Sequence, residues 1–340
     1  LGRTHPSYQP YRLYAVSNIG AILGLLAYPF LIEPTLSLEA QTTVWSVGYG
    51  VYAVLCGAVA LRLFHLAPVD SRAPSLERPP SKVAPVGGRW LWGALAACGS
   101  ALLLATTNQM CRNVAVVPFL FILPLSLYLL SFVICFDRKS WYHRGLWTGA
   151  FVFGLVATAV VIAQDTEPGL IWQIIVYSTV VFTGCMVCHG ELARLKPPAR
   201  ELTSFYIMVA SGGALGGAFV SLVAPRFFQD YWEFPLALVL AFVLAALCHV
   251  RDHGSRKIYL WMAGIWVLVL FFGYQYYDGH EESLVVERNF YGVLRVVERD
   301  REQIDWRRYL WHGGICHGSQ YLHESRRREP AMYYTCLLYT

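Results

Sequence analysis

Nine apolar runs, each near the roughly 20 residues that a helix needs to cross a bilayer, divide this chain almost from end to end. They cover residues 14–32, 44–64, 90–107, 115–135, 145–163, 170–188, 204–224, 234–249 and 258–277, the eighth being the shortest. Apart from Arg62, two residues from the end of its run, these segments hold no Lys, Arg, Asp or Glu. A chain of 340 residues that is 56% hydrophobic and only 14% charged has more apolar surface than one water-facing core can hide. Lipid is its natural surroundings, and the fold class expected is an all-α polytopic membrane bundle of about nine transmembrane helices.

Charge gives that bundle a direction. Taking the segments between runs alternately, and counting Arg62 at the end of its run with the segment that follows, the set that includes the N-terminus carries sixteen of the 27 Lys and Arg, and the opposite set carries Arg112 and Arg226 alone. The other nine follow Tyr277. By the positive-inside rule the first set, and the N-terminus with it, is cytoplasmic, in a multi-pass protein of the cell's inner (plasma) membrane. The opposite segments carry acids instead, among them Glu33, Glu39, Asp165, Glu167, Asp230 and Glu233. The formal charge of +5 therefore reflects membrane topology and not a phosphate-binding face, and no nucleic-acid partner is expected. Runs this free of charge argue against a proton relay through them. The stretch 67–89, rich in Pro, Ser and Arg, reads as a flexible linker between groups of helices.

Several short motifs admit more than one reading. Cys185-Met186-Val187-Cys188-His189 fits the spacing of covalent c-type haem attachment. It also fits two cysteines buried at the end of the sixth run, and the charge rule puts that end on the cytoplasmic side, where such haem is not normally attached; the buried reading is the expectation. Gly212, Gly213, Gly216 and Gly217 form two overlapping G-x-x-x-G pairs inside an apolar run, which predicts close helix packing and not a nucleotide loop. Pro29, Pro34, Pro118 and Pro124 are expected to kink or end helices. Trp and Tyr near the run ends, such as Tyr28, Trp45, Trp141, Trp147 and Trp261, read as interfacial anchors. Asn18, Asn108 and Gln109 are read as interhelical hydrogen-bonding groups, with substrate contact as the other reading. His312, Cys316 and His317 lie close in sequence, but the glycines around them suggest a turn between strands, and no fourth metal ligand has standard spacing.

Beyond Tyr277 the texture changes. Apolar and polar residues alternate from Ser283 to Glu298, a strand signal, and a second strand-like stretch with three glycines runs from Tyr309 to Gln320. Residues 278–340 are thus expected to be the β-rich start of a truncated α/β domain, after a transmembrane domain at 1–277.

Several strings together carry a family resemblance. They include Tyr11-Arg12-Leu13-Tyr14-Ala15-Val16-Ser17-Asn18, Tyr28-Pro29-Phe30-Leu31-Ile32-Glu33-Pro34, Asn108-Gln109-Met110-Cys111-Arg112, Cys188-His189-Gly190-Glu191-Leu192 and Arg288-Asn289-Phe290-Tyr291-Gly292-Val293-Leu294-Arg295. In these the chain resembles the membrane-embedded spermidine synthase-like family, in which a multi-span, transporter-like region precedes a polyamine aminopropyltransferase-type domain. The resemblance implies a small β-structure opening a doubly wound α/β domain, with decarboxylated S-adenosylmethionine as co-substrate and a polyamine as acceptor. It implies Gln320, Tyr333 and Tyr334 as substrate-contacting residues, while His312-Gly313 stands where the family has Asp-Gly. No glycine-rich cofactor loop and no catalytic aspartate pair follow Tyr334. The chain is therefore expected to be a fragment without the catalytic core: no catalytic residue, cofactor-binding residue or metal ligand is assigned in it. The competing reading is a multi-span small-molecule transporter or membrane receptor with a regulatory soluble tail. The bilayer is the expected partner in both, and a homo-oligomer is compatible with both. The two readings differ on geometry, because nine spans from a cytoplasmic start put the tail outside, whereas synthase chemistry needs it inside.

Overall fold

The computed structural model describes residues 10–66, 88–112, 118–164, 169–198, 201–254, 258–281, 283–289 and 292–329. Its helices follow the apolar runs: α1 (Pro10–Ala27), α2 (Leu38–Leu66), α3 (Arg89–Met110), α4 (Pro118–Asp137), α5 (Arg144–Ile162), α6 (Leu170–Arg194), α7 (Leu202–Ala218), α8 (Glu233–His253) and α9 (Ile258–Glu281). Helix α1 continues through a π turn, Tyr28–Ile32, and α7 through another, Phe219–Val223. Both π turns sit at prolines, Pro29 and Pro34 for the first and Pro225 for the second. A proline ring clashes with the carbonyl four residues back and removes a donor, and a widened turn absorbs the misfit. Pro118 opens α4, and Pro124 lies within it. Among the described residues, nine helices are long and apolar enough to cross a membrane, α8 among them with 21 residues.

Two compact units make up the chain, Gly20–Val86 and the remainder. In the first, Gln41 ties the chain between α1 and α2, accepting from the Tyr28 hydroxyl at 3.4 Å and donating to the Leu36 carbonyl at 2.9 Å. In the second, α3 is the hub, packing against α4, α6, α7 and α8. Its sequence, Trp92-Gly93-Ala94-Leu95-Ala96-Ala97-Cys98-Gly99-Ser100, is mostly small, so neighbouring backbones approach closely. The closest approach is to α7. A β-carbon on Gly212 would lie 2.3 Å from the Gly93 carbonyl oxygen, and one on Gly216 would lie 2.1 Å from that of Ala97. One of the two G-x-x-x-G pairs is therefore the helix contact the sequence predicts. The other pair is offset by one position: Gly213 has open space around it, and Gly217 makes only ordinary contacts with α3.

The helices outrun the segments drawn from hydropathy, and this changes one expectation. Helix α6 extends to Arg194 and so includes Glu191, while α8 begins at Glu233. Both carboxylates are buried, at 2% and 0% exposure, instead of lying in solvated loops.

The C-terminal strands, β1 (Ser283–Asn289), β2 (Gly292–Arg299), β3 (Arg307–His312) and β4 (Ile315–Tyr321), form an antiparallel meander in chain order. Val293 and Val297 of β2 are buried. The β3–β4 turn is Gly313-Gly314, and Gly313 adopts φ +58°, which suits glycine best. The tip of this hairpin seats on the end of α3. The Gly314 N–H donates to the Arg112 carbonyl at 3.3 Å, and a β-carbon on Gly313 would lie 2.1 Å from that oxygen.

The α3–α7 contact yields a first prediction. Gly212→Val and Gly216→Val force the helices apart and destabilise the protein by about 3 kcal/mol, near the upper end for overpacking, whereas Gly213→Ala is neutral. Thermal unfolding in detergent checks this; equal behaviour of the three variants would refute the packing.

Candidate functional site

The second unit contains a partly open cavity and two buried charge clusters. The cavity has a volume of about 380 Å³ and is walled by Tyr14 of α1, Ser100 of α3, Tyr128 and Phe132 of α4, and Tyr206 and Gly213 of α7. Its aromatic walls brace one another. Tyr14 meets Phe132 edge-on at 5.5 Å and Tyr206 tilted at 5.3 Å, and Tyr128 meets Phe132 edge-on at 5.2 Å. The cavity-facing Gly213 is one of the glycines not used in α3–α7 packing, so one glycine-rich stretch provides both the helix contact and the open space. Ser100 sits midway along α3, which places the cavity between the two ends of the bundle.

Behind the Tyr128–Phe132 wall lies His189. Its ring stacks on Phe132 at 3.6 Å and meets Tyr128 edge-on at 4.9 Å. Its Nδ1 is 2.7 Å from Ser131 Oγ, and the Ser131 hydroxyl donates to the Tyr128 carbonyl at 2.6 Å. With that proton committed, the hydroxyl oxygen accepts from Nδ1–H, and Nε2 is left as a bare acceptor. Among the described residues Nε2 has no hydrogen-bond partner, and it is buried against Gly99, where an added β-carbon would lie 2.9 Å away. Cys185 and Cys188 are both fully buried beside it, as the burial reading of that motif expects.

Two residues further along α6 comes the first charge cluster, centred on Glu191. Arg144 of α5 holds both oxygens of Glu191, its Nε at 2.7 Å from Oε1, and also bonds Asp252 of α8 at 2.8 Å. Arg194 bonds Asp252 at 3.0 Å. The Tyr142 hydroxyl donates to Glu191 Oε1 at 2.8 Å. Burial, and then the adjoining Glu191 carboxylate, push the Tyr142 phenol well above its ordinary range, so it stays a donor. Gly190 makes room for this tyrosine, since a β-carbon there would lie 2.2 Å from its ring. Each residue of His189-Gly190-Glu191 thus has a separate structural task.

The second cluster joins the sheet to the opposite end of the bundle. Arg288 of β1 grips Glu233 at the start of α8 in a fork, at 2.7 and 2.9 Å, and also donates to the Asp230 carbonyl at 2.8 Å. The Arg288 and Glu233 side chains are 4% and 0% exposed. Asn108 of α3 reaches Glu233 at 3.3 Å, and Gln109 reaches Tyr177 of α6 at 3.3 Å, so both act as interhelical hydrogen-bonding groups. Arg295 of β2 pairs with Asp230, and the Arg288 guanidinium lies 4.7 Å above the Tyr231 ring.

The residues assigned by resemblance fall elsewhere. Gln320 lies exposed on the edge strand β4, opposite Arg308, away from both clusters and the cavity. Tyr333 and Tyr334 lie outside the described residues. The rings of His312 and His317 stand 5.6 Å apart, and among the described residues no group of three His, Cys, Asp or Glu is arranged to hold a metal ion. Sequence reasoning missed the cavity wall, because Tyr128 and Tyr206 have no signature apart from other aromatic residues in apolar runs. It also missed Arg288–Glu233, which joins residues 55 positions apart. No protein-family model, curated protein or solved structure matches the chain.

Removing one partner of a buried ion pair strands the other charge. Arg288→Met is therefore expected to cost about 3–5 kcal/mol, and the double variant Arg288→Met/Glu233→Gln less than the sum of the two single changes. Unfolding of the four proteins in one detergent gives the coupling; strict additivity would show that the pair is not holding the sheet.

Proposed function

We propose that this chain is a nine-span membrane protein that binds and moves a small organic solute, with its C-terminal sheet acting as a regulatory element on the non-cytoplasmic face. The observation that carries this reading is the tyrosine-walled cavity, set midway along an apolar bundle whose two ends are tied by buried carboxylate–arginine clusters. Sites at mid-depth between packed helices are where solute carriers hold their cargo. Membrane residence is supported by the apolar helices: α2 is long and apolar enough to span a bilayer, and Phe153 and Leu215 are about 70% exposed on the outside of their helices. Orientation is supported by charge. The end that holds Arg144, Arg194 and Lys196 belongs to the base-rich set, and the end that holds the sheet belongs to the base-poor set. The protein would then lie in the inner (plasma) membrane with a cytoplasmic N-terminus and a tail outside.

The aminopropyltransferase reading keeps one observation in its favour. A four-stranded meander stands at residues 283–321, where the family resemblance expects the small β-structure that opens a synthase domain. That chemistry needs the tail in the cytoplasm, with its decarboxylated co-substrate and polyamine.

A reporter fused after Tyr277 separates the two. The transporter reading expects an external signal, and a cytoplasmic one would favour the synthase. In proteoliposomes, a panel of labelled polyamines, alkylammonium ions and neutral amino acids should include at least one solute that accumulates saturably. Accumulation of none would overturn the transport reading.

A further inference from the structure

The cavity walls specify what kind of solute fits, and here the inference rests on the transporter reading only for its consequence, not for binding itself. Tyr14, Tyr128, Phe132 and Tyr206 bring four aromatic side chains to one space, and Ser100 is the other polar residue in its lining. Among the described residues, none that lines the cavity carries a charge. Aromatic faces present negative potential, which attracts a cation and repels an anion. A wall without carboxylates limits the charge of that cation. The buried acids at the two ends of the bundle, Glu191 and Glu233, are already gripped by Arg144 and Arg288 and are not available to it. A polyamine with several ammonium groups would have to shed several hydration shells and would find neither counter-charges nor enough acceptors for its N–H groups. An alkylated ammonium presents one diffuse charge and no N–H bundle to satisfy, and aromatic cages recognise such ions.

We infer that the cavity between α1, α3, α4 and α7 binds a singly charged, alkylated organic ammonium ion in preference to a polyamine. His189 supports the site from behind by fixing the Phe132 ring in a stack, while its own proton stays on the Ser131 side.

Binding of labelled benzyltrimethylammonium to the full chain in lipid nanodiscs tests this, with neopentylbenzene, its uncharged isostere, and spermidine as competitors. Saturable binding is expected, with the isostere and spermidine each at least tenfold weaker. Tyr206→Leu should weaken binding about tenfold, and Tyr206→Phe, which keeps the ring, should stay within about twofold. Gly213→Leu, which grows into the cavity from a position with no neighbour within 4 Å, should abolish binding while leaving the α3–α7 contact intact. If Tyr206→Leu fails to fold, the Gly213→Leu and Tyr206→Phe pair still decides. Equal affinity for the isostere, tighter binding of spermidine, binding unmoved by Gly213→Leu, or no saturable binding would each overturn the inference. Binding without uptake in proteoliposomes would leave the site standing and remove the transport function.

Discussion

The close approach of α3 and α7 is the contact on which the rest of the bundle depends. Carbonyl oxygens of Gly93 and Ala97 rest where side chains of Gly212 and Gly216 would otherwise be. In apolar surroundings there is no hydrophobic drive to bring two apolar helices together, and packing at short range has to supply the attraction. Two consequences follow from this one seam. With α7 fixed against α3, the next glycine along, Gly213, opens onto the aromatic cavity. With α3 fixed at the centre, its last residues Asn108 and Gln109, and Arg112 just beyond its end, stand where they can meet α8, α6 and the sheet.

The polar chemistry is concentrated at the ends of that central bundle. Glu191 and Glu233 are both buried, and each is held by an arginine from a different element, Arg144 from α5 and Arg288 from β1. Such pairs add little net stability over apolar substitutes, but breaking one is costly. Their effect is to specify partners: Glu191 fixes which end of α5 and α8 meets α6, and Glu233 fixes where the sheet sits. Two of the strings that carry the family resemblance, Asn108-Gln109-Met110-Cys111-Arg112 and Cys188-His189-Gly190-Glu191-Leu192, coincide with these tie points. Their residue types therefore have a physical reason apart from any enzymatic chemistry.

Much of this was legible in the sequence. Apolar runs gave the number and rough extent of the helices because length and composition suffice to set them. The G-x-x-x-G spacing gave the α7 seam, though not which of the two overlapping pairs would make it. Alternation after Ser283 gave strands, and Gly313-Gly314 gave the turn between the last two. The burial of Glu191 and Glu233 was not legible. Hydropathy ends a segment near its first charge, whereas a helix continues as long as its backbone bonds are made and an arginine can reach the carboxylate. The cavity was not legible either, because it needs Tyr14, Tyr128 and Tyr206 from three distant runs. Gln320, assigned by resemblance, lies on an exposed strand edge apart from these features.

A carrier of this orientation requires the sheet and the base-rich loops to lie on opposite sides of a membrane. Cysteines introduced singly at Glu302, exposed in the β2–β3 loop, and at Ser140, exposed between α4 and α5, can be probed in intact cells with a membrane-impermeant maleimide. Labelling at 302 above the level of the native chain, with none at 140 until the membrane is opened, is the predicted result. Labelling of both positions in intact cells, or of 140 alone, would contradict it.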